Sequence, residues 1–176
     1  RKQKSKMDAL IEQLATIDGQ GIIFCNTKFE TWNVQKQLKA NQHTAQVLQG
    51  DLPQIKRNLV LSAFREKKFQ YLVATDLVSR GIDIDHVEII IHYDIPASHH
   101  DYIHRIGRTS RGSVAGTSLA LISQDQHDNW INIQNAINPS SNTKHNFSKK
   151  HKSSSRKKTH GPSASTKNKR KPRSKK

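Results

Sequence analysis

Short apolar runs alternate with amphipathic stretches along the first 137 residues of the chain. Apolar runs bounded by turn-forming residues are typical of buried β-strands, and they lie at residues 21–25, 44–48, 71–75, 87–93 and 117–122. Between the runs, apolar residues recur at helical spacing, which predicts helices near residues 5–17, 27–41, 53–64, 99–107 and 124–137. Pro53 fits the first turn of its helix, because the backbone N–H groups of the first turn make no hydrogen bond within the helix.

The order of these elements predicts an α/β fold in which a parallel sheet carries helices on both faces. In open sheets of this kind, ligands bind beyond the carboxyl ends of the strands. The polar residues that follow the strands are therefore candidates for a binding site: Asn26, Thr27, residues 49–51, Thr75, Asp76, Asp94 and Ser123.

Charge divides the chain into two parts. Residues 138–176 hold 14 of the 30 Lys and Arg residues and no Asp or Glu, so residues 1–137 carry 16 cations against 14 acids. The segment 138–176 also has too few apolar residues to form a core. We therefore predict one folded domain over residues 1–137, followed by a disordered Lys/Arg-rich tail over residues 138–176.

Composition excludes several other classes. No apolar run approaches the ~20 residues that span a bilayer, so no membrane partner is expected. Cys25 is the one cysteine, which leaves no disulfide partner and no Cys-based zinc site. The chain begins with Arg1 rather than Met, so we expect it to be a piece of a longer protein. The histidines show no metal-ligand spacing, so we expect each to be solvated or to cap a helix: His43, His86, His92, His99, His100 and His127.

Residues 102–112 form an arginine-rich stretch within the folded part of the chain. Arg105, Arg108 and Arg111 lie three apart, on one side of a helical or 3₁₀ turn. These charges repel one another unless an anion lies among them, and guanidinium groups fit phosphate oxygens. A solvated basic helix face is the alternative. We favour phosphate binding because the rest of the folded part is close to neutral.

Two further stretches could contact phosphate or ribose. In residues 73–84, a hydroxyl, backbone amides and a carboxylate follow the third strand, beginning at Thr75 and Asp76. An ordinary strand-turn whose Asp caps a helix explains this stretch equally well. Gln54 and Arg57 lie one helical turn apart and can both face a backbone phosphate, although a solvated polar helix face is the simpler interpretation.

Together these stretches resemble the C-terminal RecA-like lobe of DEAD-box RNA helicases over about residues 5–135. The matching stretches, in order, are residues 22–27, residues 48–51 with Gln54 and Arg57, residues 73–84, residues 93–96, and the His-Arg-Ile-Gly-Arg-Thr-Ser-Arg segment at 104–111. The last segment resembles DEAD-box enzymes more than DNA helicases of the same superfamily. The resemblance implies a three-layer RecA-like (P-loop NTPase-like) domain and ATP-dependent RNA helicase activity.

The resemblance also implies roles for single residues. Arg108 and Arg111 match catalytic arginine fingers at the γ-phosphate of ATP, while Gly81 and Asp83 match a contact to its ribose. The implied RNA contacts are Asn26, Thr27, Gly50, Gln54, Arg57 and Thr75. The implied contacts to an N-terminal lobe are Arg80, His104 and Arg105. Phe24 is expected beneath the arginine turn, although a plain core phenylalanine fits as well.

Two residues depart from the family's pattern. Gln49 stands where His is usual, and it keeps a polar donor. Ser110 stands where Gly is usual between the two finger arginines. If that position requires a positive φ, Ser strains the turn and changes the finger geometry.

Motifs of the family's first lobe are absent from the sequence. It has no Gly-x-x-x-x-Gly-Lys-Ser/Thr loop, no Asp-Glu-Ala-Asp segment and no Ser-Ala-Thr segment. In the family these motifs hold the phosphates of ATP and Mg²⁺. The implied cofactor is therefore ATP with Mg²⁺, and the ligands of the Mg²⁺ are expected on an N-terminal lobe in cis. The chain alone is expected not to hydrolyse ATP.

The basic tail suits RNA tethering, because clustered cations release counterions when they bind a phosphate backbone. A solubilising or nuclear-localising tail is the alternative. RNA is the expected macromolecular partner, and the expected location is cytoplasmic, or nuclear or nucleolar as the alternative. The rival function is a non-enzymatic RNA-binding or assembly module built from a single lobe, and a second rival is a DNA helicase lobe.

Overall fold

The described residues form a central sheet of parallel strands, each four residues long. The strands are β1 (Gly21–Phe24), β2 (Ala45–Leu48), β3 (Tyr71–Ala74), β4 (Ile89–His92) and β5 (Thr117–Ala120). Their order across the sheet is β2-β3-β1-β4-β5, which places β1 in the centre. The computed structural model describes residues 4–79, 84, 87–109 and 116–139. All five predicted strands are confirmed, each somewhat shorter than its apolar run.

The three central strands are covered on both faces. Every residue of β1, β3 and β4 is buried, which agrees with the near-continuous apolar runs of these strands. At the two edges of the sheet, Gln46 of β2 and Thr117 and Ser118 of β5 are exposed. The difference in burial follows the difference in sequence pattern between central and edge strands.

Helices connect the strands. They are α1 (Lys6–Leu14), α2 (Lys28–Ala40), α3 (Gln54–Arg65), α4 (Asp76–Ser79), α5 (His99–Ile106) and α6 (His127–Ile137), with a 3₁₀ turn at Gln124–Gln126. Three of them begin at a capping side chain that accepts a backbone hydrogen bond: Ser5 for α1, Thr27 for α2 and Ser98 for α5. Such caps satisfy N–H groups that the helix itself leaves unpaired, so they fix where each helix begins.

One local prediction needs correction. Pro53 is the N-cap of α3, with φ −52° and ψ 144°, rather than a residue of its first turn. Helix α4 begins two residues after β3, where the sequence leaves open a phosphate-binding turn or a turn whose Asp caps a helix. Four residues are too few to show helical periodicity, so this helix leaves no apolar signal.

Two apolar cores hold the helices to the sheet. One core contains Leu10 of α1 and Val34 of α2 with Ile23 of β1, and the other contains Phe64 of α3 with Phe24 of β1. Successive residues of a strand point to opposite faces, so β1 contributes to both cores. This arrangement confirms the predicted parallel sheet with helices on both faces.

The described part of the chain ends two residues after α6. The predicted tail over residues 138–176 lies almost wholly outside it, so the disorder of the tail and the boundary at 137 stay predictions. Among the helices that the structure describes, none is long and apolar enough to cross a bilayer.

Gly21 and Gly50 offer a matched test of the sheet register. A Cβ atom at Gly21 would lie 3.1 Å from the Cβ and carbonyl oxygen of Ile89 and 3.4 Å from Cδ1 of Tyr71, whereas one at Gly50 would meet nothing within 4 Å. Gly21→Ala should lower the free energy of unfolding by ~1–3 kcal/mol, because β3 or β4 must shift. Gly50→Ala should change it by less than ~0.5 kcal/mol. Urea denaturation measures both, and equal effects would contradict the register.

Candidate functional site

Polar side chains gather at the carboxyl edge of the sheet. Asn26 and Thr27 follow β1, Gly50 lies two residues after the end of β2, and Thr75 follows β3. Because all the strands are parallel, their carboxyl ends meet at this one edge. The edge therefore carries the residues that the sequence singles out as candidates.

Arg105 of α5 is the most heavily bonded side chain at this edge. Its Nε and Nη2 donate to the two carboxylate oxygens of Asp76 at 2.6 and 2.7 Å. Nη2 also donates to Oδ1 of Asn26 at 3.2 Å, and Nη1 donates to the carbonyl oxygen of Asp94 at 2.6 Å. Nη1 lies 3.4 Å from Nδ1 of His92. All five N–H groups of the guanidinium thus face an acceptor.

An aromatic stack supports this guanidinium from below. The Arg105 Cζ atom lies 4.9 Å from the centroid of the Phe24 ring, which confirms the position predicted for Phe24. The ring of His92 stacks on Phe24 at 6.3 Å and on Tyr102 at 4.6 Å between centroids. Tyr102 in turn meets the edge of Trp130 of α6 at 5.4 Å. The stack joins β1, β4, α5 and α6 around the buried charge.

The protonation state of His92 follows from these contacts. A guanidinium cannot accept a hydrogen bond, so Nδ1 of His92 accepts from Arg105 and Nε2 carries the proton. Nε2 lies 3.3 Å from the hydroxyl of Ser118, which can accept that proton's hydrogen bond. Burial, reinforced by the charge of Arg105, lowers the pKa of His92 to about 3. The imidazole is therefore neutral at ordinary pH.

These contacts place Arg105 and correct the expectation for His92. Arg105 is only 1% exposed and bonds to described residues of its own lobe, and its implied contact to an N-terminal lobe stays a prediction. Asp76 of the chain itself supplies the anion that pairs with Arg105. His92 is fully buried, not solvated or at a helix cap. A histidine inside a strand that is buried on both faces is the sequence signal for such a role.

The remaining residues of the arginine stretch lie further out. His104 is exposed, and Arg108 is half-buried. The backbone of Arg108 is held from two sides, since its N–H donates to the carbonyl of Arg105 and its carbonyl accepts from Val87. Arg80, Gly81, Asp83, Ser110 and Arg111 lie outside the described residues, so their predicted roles stay predictions.

Asn26 and Thr27 are exposed but already bonded. Asn26 Nδ2 donates to the carbonyl of Ile95 at 3.0 Å, and its backbone N–H donates to Asp94 at 3.0 Å. The Thr27 hydroxyl accepts from the backbone N–H of Glu30 at 3.1 Å as the cap of α2. The polar groups of both residues thus help to shape the end of β1.

The start of α3 presents a second polar surface at the same edge. Arg57 Nη1 donates to Oε1 of Gln54 at 3.2 Å, so the two side chains lie together as their spacing predicts. The first turn of α3 contains no acidic residue, and the N-terminal end of a helix favours anions. Gly50 is exposed in front of it. Gln49 is buried, and its Oε1 has no hydrogen-bond partner among the described residues.

Lys6 was not singled out by the sequence, yet it contacts the end of β4. Its Nζ donates to Asp94 at 2.8 Å and to Gln126 at 3.0 Å, and it lies 4.9 Å from the centroid of the Tyr93 ring. These bonds hold the start of α1 at the carboxyl edge. Within the described ranges, no group of three or more His, Cys, Asp or Glu side chains could hold a metal ion.

The conserved C-terminal domain of helicases matches residues 5–113, more than half of the chain. The chain belongs to this helicase family. It is 37% identical to the ATP-dependent RNA helicase eIF4A of Pyricularia oryzae and 38% identical to eukaryotic initiation factor 4A of Cryptosporidium parvum, each over 125 residues and 70% of this chain. This helicase domain spans about a third of the length of those curated relatives, 32% and 31%.

Solved structures of DEAD-box proteins share its fold. The C-terminal domain of the DEAD-box protein Dbp5 superposes with a TM-score of 0.69 at 32% identity, covering 80% of each chain. A DEAD box protein from Methanococcus jannaschii gives a TM-score of 0.71 at 33% identity, covering 75% of this chain and 36% of that one. These likenesses confirm the predicted RecA-like fold and the predicted C-terminal lobe of the DEAD-box family.

The buried imidazole predicts a specific loss of stability in acid. The pKa of His92 is about 3 in the folded chain and ~6.5 in the unfolded chain, so only the unfolded state binds this proton between those values. Stability from this group therefore falls as the pH drops from ~6.5 towards 3. His92→Asn keeps an acceptor for Arg105 but cannot titrate. From pH 6.5 to 4.5, the wild type should lose ~2 kcal/mol more than this variant in urea denaturation.

The control is His127→Asn, which removes an exposed imidazole on α6. Its unfolding free energy should follow that of the wild type across the same pH range. Parallel pH curves for the wild type and His92→Asn would contradict a buried neutral imidazole.

Proposed function

We propose that this chain is the C-terminal lobe of an ATP-dependent DEAD-box RNA helicase. The bidentate pair between Arg105 and Asp76 is the observation that carries the proposal, because it fixes α5 against the functional edge of the sheet. In an intact enzyme, this edge closes with an N-terminal lobe around ATP and one RNA strand. Bending of the bound strand then opens a short duplex locally. Hydrolysis of ATP lets the two lobes return to their open arrangement.

Arg108 and Arg111 act as arginine fingers in this proposal. A guanidinium placed beside the transferring γ-phosphate stabilises the charge that develops in the transition state. The support for Arg108 is its place one turn after Arg105, with its backbone held by hydrogen bonds on both sides. Arg111 rests on the sequence match alone.

ATP would be shared between two lobes. Gly81 and Asp83 are the proposed contacts of this lobe to the ribose. The phosphates and Mg²⁺ would be held by an N-terminal lobe, where the metal ion neutralises charge on the phosphates. This lobe by itself therefore supplies positioning and positive charge without a complete nucleotide site, and we expect no turnover from it alone.

RNA would lie along the exposed part of the same edge. Gly50 leaves open space for a backbone to approach, and the N-terminus of α3 with Gln54 and Arg57 suits a phosphate. The exposed residues Asn26 and Thr27, together with Thr75, which is only 8% exposed, complete the proposed contacts. These are phosphate and sugar contacts, so the lobe would hold RNA without reading its sequence.

Removing a finger tests the catalytic part of the proposal. In a two-lobed protein that carries this chain as its second lobe, Arg108→Ala or Arg111→Ala should lower RNA-stimulated ATP hydrolysis by about 10³-fold or more, the scale of an arginine finger. Release of phosphate measures the rate. Arg65→Ala, at the far end of α3, is the control and should retain activity. Unchanged turnover in the Arg108 variant would refute its assignment as a finger.

Removing the tail tests the proposed RNA tether. Deleting residues 138–176 should weaken binding of single-stranded RNA and flatten the plot of log affinity against log salt, by ~0.7 for each phosphate that the tail neutralises. Affinity for ATP in the two-lobed protein should not change. A full-length variant with the 14 tail cations replaced by Gln controls for chain length. Equal slopes with and without the tail would contradict tethering.

A further inference from the structure

A groove runs beside edge strand β2, between α2 and α3. Two cavities of about 630 and 340 Å³ adjoin there, and Gln46, Leu59 and Val60 line both of them. We call this continuous depression the β2 groove. It borders the outer edge of the sheet and is separate from the Arg105 cluster between β1 and β4.

The surface of the β2 groove is largely apolar. Trp32 and Leu52 line one end, and Ala63 and Phe69 line the other. Trp32 is 48% exposed and Leu59 is 64% exposed, although both are large apolar side chains. Contiguous exposed apolar surface of this kind marks binding sites in soluble proteins.

The charged residues that line the β2 groove are all lysines. Lys39, Lys56 and Lys68 line it, and none of the described residues that line it is acidic. Lys68 forms an ion pair with Glu66 at 2.6 Å. Within the described part of the chain, Lys39 and Lys56 form no ion pair. The groove therefore favours an occupant that carries negative charge beside apolar groups.

This charge argues against the other obvious occupants. The chain's own tail, residues 138–176, has 14 cations and no acids, so the lysines repel it. A second copy of the chain would place the same lysines opposite each other in a two-fold interface. An RNA strand could place phosphates beside the lysines but would cover apolar surface with its charged backbone. An acidic peptide with apolar side chains satisfies both features.

We propose that the β2 groove binds a partner protein through a short acidic segment with aromatic or aliphatic anchors. An anchor lies between Trp32 and Leu59, and carboxylates pair with Lys56 and Lys39. Helix α2 rises ~10 Å from Trp32 to Lys39, which matches two helical turns or three extended residues of the bound segment.

The bound segment contacts the β2 groove through its side chains and does not add a strand to the sheet. Gln35 Nε2 donates to the carbonyl oxygen of Ala45 at 3.0 Å, which occupies part of the outer edge of β2. A peptide that extended the sheet would have to break this bond. Docking by anchors in the groove leaves it intact.

Affinity selection with the full 176-residue chain tests the proposal. Three pools of random dodecapeptides are passed over the immobilised protein: Asp and Glu with Leu, Phe and Trp; Asp and Glu with Ser and Asn; and Lys and Arg with Leu, Phe and Trp. Recovery is counted by mass spectrometry. The first pool should be recovered at least tenfold over the other two. The second pool measures binding of acids to the basic tail, so recovery equal to the first would overturn the proposal.

Variants then locate the binding. Leu59→Glu should lower recovery of the first pool at least tenfold, while Ile131→Glu, at an exposed apolar position of α6, should leave it unchanged. Lys39→Glu with Lys56→Glu should also lower it. Lys4→Glu with Lys67→Glu changes net charge equally outside the groove and should not. Full recovery by either groove variant would overturn the proposal.

RNA is the competing occupant. Decauridine RNA is added to the selected peptides on the wild-type chain, and its own affinity is measured for the wild type and Leu59→Glu. The proposal expects the peptides to stay bound and the RNA affinity to be the same for both proteins. Displacement of the peptides together with weaker RNA binding by Leu59→Glu would assign the groove to RNA instead.

Discussion

A buried arginine holds the functional edge of the sheet together. Removing a guanidinium from water costs several kcal/mol unless its partners replace the hydration. Asp76 supplies the opposite charge of Arg105, and Asp94, His92 and Asn26 supply further acceptors. Asn26 follows β1, Asp76 follows β3, and His92 and Asp94 lie at the end of β4. One side chain thus fixes α5 relative to three strand ends.

The same helical turn presents different residues inward and outward. Consecutive helical residues point ~100° apart, so Arg105 enters the core while its neighbour His104 is exposed. Arg108, two residues after the end of α5, is half-buried. In the proposed function, Arg105 is a positioning residue and Arg108 is the group that meets the nucleotide. A charge that stabilises a transition state must be in place before the reaction begins, and the internal bonds of Arg105 hold the turn for that purpose.

The sequence predicts the fold well because its signals are local. Apolar runs locate every strand, and the alternation of strands with helices indicates parallel pairing. The site is harder, because partners such as Arg105 and Asp76 are 29 residues apart in the sequence and their contact depends on packing. A run of arginines cannot distinguish an internal ion pair from a ligand contact. The bond from Lys6 to Asp94 likewise arises only from the assembled sheet.

The bonds of Lys6 to Asp94 and Gln126 place the start of α1 at the carboxyl edge of the sheet. In the proposed function, an N-terminal lobe on a flexible linker would therefore lie beside the surface on which it closes. A linker of about ten residues spans ~20 Å on average, which corresponds to a local concentration in the millimolar range. Closure of the two lobes would then be a unimolecular step, whose rate does not depend on how dilute the protein is.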